Sequence, residues 1–209
     1  MGEKSSTNLF NSISRIYGLF YNTQKKRFSK VIEDIKQELN LTSYETILDV
    51  GCGTGALCSV LSDKGLTVTG VDGAEKMLNI AIKKPENKKI NFVHTNILEK
   101  LPFNDKVFDI SIASYVAHGM QQSERKILYA EMSRVTKHKV VIYDYNKKRA
   151  LLTTIIEWLE GGDYFHFIKN AENEMNDCAY ELKGCFSEVK VVDVDVRASW
   201  YICTPITNE

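Results

Sequence analysis

The chain has 209 residues and no formal net charge, with 27 Lys and Arg against 27 Asp and Glu. A composition of 44% hydrophobic and 26% charged residues is that of an ordinary globular domain, which excludes disordered and collagen-like classes. The balanced charge gives no push toward nucleic acid or an anionic membrane.

In chain order, the N-terminal MGEKSSTNLFNS lacks an apolar signal core, and no stretch approaches the roughly 20 apolar residues of a membrane span. A cytoplasmic protein without a membrane anchor is expected. Leu9, Phe10, Ile13, Ile16, Tyr17, Phe20 and Tyr21 hold one face of a helix, and Phe28, Val31, Ile32, Ile35 and Leu39 one face of a second. The pattern then alternates. Residues 46–50 read as a buried strand, followed by a helix to about Lys64 that Gly65 closes in the C′ position. The β-branched LTVTGV, then INFVHT, VFDISIAS and KVVIYDY, are strands, and AEKMLNIAI and SERKILYAEMSRV are helices between them. RALLTTIIEWLE and AENEMNDCAYELKG are two further helices, the second closed by Gly184. EVKVVDVDV and ASWYICT are strands too close in sequence for a crossover, so they form an antiparallel hairpin.

Strand–helix alternation predicts an α/β fold, a doubly wound, mostly parallel sheet with helices on both faces. Ligands of such sheets bind beyond the carboxyl ends of the strands. Five cysteines, at 52, 58, 178, 185 and 203, form no C-x-x-C pair, so no metal site and reduced thiols are expected.

The stretch TILDVGCGTGALC carries the chemistry. GCGTGA satisfies the G-x-G-x-x-G/A pattern of dinucleotide sites, so a nicotinamide-dependent oxidoreductase enters as one reading. Asp49, at the end of the apolar strand, argues against it: a carboxylate beside an anionic pyrophosphate repels the ligand. It suits a cofactor that brings positive charge there, as the sulfonium and α-ammonium of S-adenosylmethionine do. A buried carboxylate requires such a partner or good hydrogen bonds. The bland alternative is that Asp49 only accepts from amides of the turn.

ILDVGCGTG resembles the first motif of the class I S-adenosylmethionine-dependent methyltransferases, and the resemblance extends from about Leu9 to Thr204. It implies a sheet order 3-2-1-4-5-7-6 with strand 7 antiparallel, and cofactor contacts from Asp49, Gly51, Cys52, Gly53 and Gly55. VTGVDGAEKML resembles the second motif. There Asp72 would hold both ribose hydroxyls, unless it only caps the next helix, and Gly73 and Met77 would lie against ribose and adenine. HTNILEKLPFNDKVFDISIAS resembles the next block, with Asn96 where the family has Asp; Asn96 and the Ile97 amide would address the adenine, and Ser114, at the end of the following strand, is expected among the cofactor contacts.

Within the superfamily the chain looks most like small-molecule methyltransferases of the quinone-biosynthesis type. That likeness implies a helical lid over residues 1–40, a cofactor-binding core over 41–209 and an acceptor-side insert at about 147–184. Tyr17 and Tyr21, four apart on one lid face, would face the cofactor or belong to a core. In SYVAHGM, His118 and Tyr115 are the expected base or acceptor contacts, against a loop histidine without chemistry. In GGDYFHF, Tyr164, Phe165 and His166 would line the acceptor pocket, or form a packed aromatic cluster. The function expected is methyl transfer to N, O or C of a small molecule. A cofactor-binding partner or regulator without its own catalysis is the alternative. Oligomeric state is not legible.

Overall fold

The computed structural model describes residues 11, 12, 14, 18–146, 163–180 and 183–206. Helix α1 (Tyr21–Asp34) leads through a short turn into β1 (Thr46–Val50), α2 (Ala56–Asp63), β2 (Thr67–Asp72), α3 (Glu75–Ile82) and β3 (Asn91–His94). There follow β4 (Phe108–Ser114), α4 (Gln122–Val135), β5 (Thr136–Tyr145), α5 (Tyr164–Asn176), β6 (Phe186–Asp195) and β7 (Ala198–Pro205). These seven strands form one sheet in the order β3-β2-β1-β4-β5-β7-β6. β1, β2 and β3 pair in parallel, as do β4 and β5, whereas β7 runs antiparallel to both β5 and β6. The architecture is the α/β order 3-2-1-4-5-7-6 anticipated above. Ile47, Leu48, Val50, Val140, Val141 and Ile142 are wholly buried, as central parallel strands covered on both faces require.

The chain separates after Ile97 into two compact units. In the first, α1 buries Tyr21, Val31 and Ile32 and is tied to the α2 segment by Lys25–Asp63 (3.2 Å) and Lys64–Glu33 (3.1 Å). In the second, Arg125 on α4 is fully buried. Its Nε and Nη2 donate to Glu174 (2.7 Å each), its Nη2 also to Asp163, and its guanidinium stands over the Phe167 ring. That bidentate fork holds α5 against α4.

Three expectations change. The helix expected over residues 28–39 begins at Tyr21 and ends at Asp34. The helix expected over 171–184 is instead α5, whose inward face is Tyr164, Phe167, Ile168, Ala171 and Met175. After it the chain folds into a two-residue ladder, Ala179–Tyr180 against Lys183–Gly184, and Cys178 and Cys185 at its base form a disulfide. Reduced thiols are therefore found only at Cys52, Cys58 and Cys203. The pairing follows from the tight ladder, which brings together two cysteines seven apart, and no spacing rule announces it. Tyr17 and the helix expected over 149–160 lie outside the described residues. No helix among the described residues is long and apolar enough to cross a membrane.

Candidate active site

In the first unit the site begins where β1 gives way to α2. Gly51, Gly53 and Gly55 all have positive φ, 73°, 53° and 76°. Gly55 is confined: an added Cβ would meet Asn87 Nδ2 at 2.9 Å, and Ala81 Cβ and Phe92 Cζ at 3.0 Å. Gly53 is open, with nothing among the described residues within 4 Å of an added Cβ. The turn's amides are largely committed inside the protein. Gly51 and Cys52 donate to Val71 O, Gly53 to Asp72 Oδ2 (2.7 Å) and Gly55 to Cys52 O. A pyrophosphate cradle needs such amides facing outward, so this turn does not suit a dinucleotide.

Asp49 is 1% exposed, and the thiol of Cys58 donates to its Oδ2 at 3.0 Å. Burial, reinforced by the charge of Asp72, pushes its carboxyl up to about 7 despite that bond. A cationic ligand is what returns such a group to its ionised form. Asp72 ends β2 and braces the turn: its Oδ2 takes the Gly53 amide and its Oδ1 the Ala74 amide, each at 2.7 Å. A carboxylate has about four lone-pair sites. Two therefore stay available for vicinal hydroxyls, and the bracing and ribose roles do not exclude one another. Gly73 follows, its carbonyl accepting from His94 Nε2 at 3.0 Å, and Met77 is buried on α3. Thr95 N donates to Asp72 O, which carries half-buried Asn96 and Ile97 to the same strand end.

Tyr21 is placed otherwise than the lid reading expected. It is 1% exposed, lies under Lys84 Nζ (4.3 Å) and donates from its hydroxyl to Asn87 Oδ1 (3.3 Å). Burial pushes its phenol up to about 12. Among the described residues it meets Asn87, whose amide abuts Gly55, and Ser59 on α2, which puts it on the core side of the two places expected for it.

In the second unit the ends of β4 and β5 build another cluster. Ser114 pairs in register with Tyr143, and its buried hydroxyl has no hydrogen-bond partner among the described residues. Tyr115 has φ 56°, a conformation costing a residue with a Cβ about 1–2 kcal/mol. It is held there by its amide donating to Tyr143 O (2.8 Å), by the facing Tyr143 hydroxyl (3.3 Å) and by ring contacts with Tyr143 and Tyr145. His118 is nine-tenths buried. Its Nδ1 lies 2.8 Å from Asp144 Oδ1 and its amide donates to Asp144 Oδ2. Asp144 is wholly buried and also takes the Tyr145 amide. A carboxylate accepting from Nδ1–H leaves the lone pair of a neutral imidazole on Nε2. Tyr145 and Tyr164 stand edge-on to the imidazole, with ring centroids 4.8 and 6.3 Å away.

Of the three residues expected in an acceptor pocket, only Tyr164 joins this cluster. Phe165 touches Tyr164 but is 38% exposed. His166 turns toward the Arg125 network, with Nδ1 2.8 Å from Glu174. The helical period explains the split, since consecutive residues point about 100° apart.

Residues 47–139 match the model of the methyltransferase domain family. The ubiquinone biosynthesis O-methyltransferase of Rickettsia typhi is 31% identical over 228 residues, covering 99% of this chain and 92% of that protein. The chain belongs to the S-adenosylmethionine-dependent methyltransferase family. A methyltransferase of Aquifex aeolicus that depends on the same cofactor shares the fold at TM-score 0.63 and 21% identity, covering 89% of this chain and 98% of that one. The magnesium protoporphyrin IX methyltransferase of Synechocystis PCC 6803, with S-adenosylhomocysteine bound, does so at TM-score 0.60 and 16% identity, covering 87% and 83%.

The cofactor of this methyltransferase is therefore S-adenosylmethionine. The first unit's site fits it: a buried carboxylate of raised proton affinity, an open Gly53 and a carboxylate with lone pairs to spare. Asp144, Tyr143, Tyr145, Cys58 and His94 were missed by sequence reasoning. Asp144 had a signal, because KVVIYDY carries a carboxylate near the end of an apolar strand as TILDV does. The others are ordinary residues until their neighbours are known.

Proposed function

We propose that this methyltransferase transfers the methyl group to a hydroxyl of a small aromatic acceptor, with His118 as general base and Asp144 as its positioning residue. The observation that carries the reading is the buried His118–Asp144 pair walled by Tyr145, Tyr164 and Tyr115. The named activity of the Rickettsia relatives, an O-methylation in ubiquinone biosynthesis, supports the same class.

The chemistry follows from these groups. When bound, S-adenosylmethionine supplies an electrophilic methyl group on a sulfonium. Asp49 would face the cationic methionine end and Asp72 the ribose hydroxyls, with Gly51, Cys52, Gly53 and Gly55 giving the close backbone approach. Gly73, Met77, Asn96 and Ile97 would enclose the ribose and adenine, and the Ser114 hydroxyl would add a polar contact. His118 takes the acceptor's hydroxyl proton on Nε2, and Asp144 stabilises the resulting imidazolium. Tyr115 and the tyrosine walls orient an aromatic ring edge-on. Residues 1–40 as a lid, with Tyr17, and residues 147–184 as the acceptor-side insert complete the reading. A free small-molecule acceptor, no nucleic acid and a cytoplasmic setting belong to it as well; in a reducing cytoplasm Cys178 and Cys185 would stand as thiols.

Release of S-adenosylhomocysteine is the test, measured with a panel of phenols, catechols and amines. His118→Ala and Asp144→Asn should each lower kcat, by about 10²–10⁴ for loss of a general base, with S-adenosylhomocysteine affinity unchanged. Turnover of amines alone, or full activity in both variants, would refute the proposal.

A further inference from the structure

Asp49 is hydrogen-bonded in an unusual way: Cys58, outside the recognised motifs, donates to it, and Cys52 and Gly70 shape the space around that thiol. In register, Asp49 on β1 lies opposite Gly70 on β2. Glycine in the middle of a β-branched strand weakens it and marks a place where something must come close. Here the something is sulfur. A Cβ added to Gly70 would stand 2.9 Å from both Cys52 Sγ and Cys58 Sγ. Both thiols are buried, and Cys58 uses its proton on Asp49 Oδ2. The charged and titratable neighbours of Asp49 are thus Cys58 from α2, Cys52 from the turn and Asp72 from β2.

We infer that Cys58 is a positioning residue of the donor site: its thiol orients the Asp49 carboxylate and holds it receptive to the cationic methionine end of the cofactor, in a pocket that Gly70 keeps open for the sulfur. The inference rests on the reading that Asp49 addresses that end. A thiol is a weak donor. It occupies one lone pair of Oδ2, and Oδ1 remains for the ligand. Burial pushes Cys58 well above the ordinary thiol range, so at neutral pH it stays protonated and keeps the proton that it donates. A stronger donor in its place would hold the carboxylate ionised to lower pH, and an apolar residue would leave it without that support.

The experiment measures binding of S-adenosylmethionine, S-adenosylhomocysteine and adenosine by calorimetry from pH 5 to 8, in the native chain and in Cys58→Ala, Cys58→Ser, Gly70→Ala and Asp49→Asn. Cys58→Ala should weaken S-adenosylmethionine about tenfold at pH 8 and move the midpoint of its pH dependence upward. Cys58→Ser should keep the affinity and move the midpoint downward. Gly70→Ala, by displacing the sulfur, should follow Cys58→Ala, and adenosine should bind all four variants alike. An unchanged midpoint in both Cys58 variants, with Asp49→Asn still weakening S-adenosylmethionine, would overturn the role of Cys58 alone. Equal loss of adenosine in Cys58→Ala would reduce it to packing of the turn. Indifference of Asp49→Asn to every ligand would overturn the reading beneath it.

Discussion

Asp49 makes a quantitative prediction about proton release. Its carboxyl stands at about 7 against an ordinary 3.8. Three units at about 1.36 kcal/mol each mean that charging it in the ligand-free protein costs about 4 kcal/mol. A cationic ligand that pairs with it binds the ionised form. Below pH 7 the ligand must therefore displace a proton, and its affinity falls about tenfold per pH unit toward pH 5. If pairing brings the group back near its ordinary range, about 0.9 proton leaves per ligand at pH 6 and about 0.1 at pH 8. Calorimetry of S-adenosylmethionine in buffers of different ionisation enthalpy reads that number directly. Asp49→Asn should bind the cofactor at least about 10- to 150-fold more weakly at pH 8, the worth of a charge-assisted bond, and the gap should narrow toward pH 5, as the native protein must displace a proton to bind. Stability has the opposite sign. The folded state retains the proton that the unfolded chain loses between pH 4 and 7, so Asp49 lowers stability progressively across that window. Asp49→Asn should accordingly raise the melting temperature at pH 8 and leave it unchanged at pH 4. Proton release that is zero at pH 6, or identical in Asp49→Asn, would refute the assignment of Asp49 to the cation.

The glycine turn separates stability from binding. Gly55→Ala places a Cβ against Asn87, Ala81 and Phe92 at positive φ and should cost about 2–4 kcal/mol in denaturant unfolding, whereas Gly53→Ala should cost about 1 kcal/mol and mainly weaken S-adenosylhomocysteine. Equal effects of the two on stability would contradict the geometry. Arg125→Met should destabilise by about 3–5 kcal/mol because buried Glu174 loses both guanidinium bonds and is left with the partly exposed His166, and Arg125→Met with Glu174→Leu should recover most of that loss. Tyr21→Phe keeps the buried ring but loses the bond to Asn87, so it should lower stability by about 1 kcal/mol with S-adenosylhomocysteine affinity intact. A selective loss of affinity in Tyr21→Phe would restore the direct contact expected of a lid tyrosine.

The sequence by itself determined the order of strands and helices, the antiparallel last strand and the donor-side motif. Each of these is local: a two-residue link between β6 and β7 admits only a hairpin, and a glycine run after an apolar strand admits only a tight turn into a helix. Asp49 and Asp72 were legible for the same reason, as carboxylates at the ends of buried strands. Only the tertiary structure decided which tyrosines are core and which surround His118. Tyr21 and Tyr164 have similar apolar neighbours in sequence, yet one packs on Asn87 and the other on the His118 cluster. The His118–Asp144 pair joins residues 26 apart on different elements, and the Asp49–Cys58 bond exists because Gly70, on another strand, leaves room for sulfur. Such contacts depend on register across the sheet, which periodicity does not encode, because a strand's alternation says which face a side chain takes and not which neighbour it meets there.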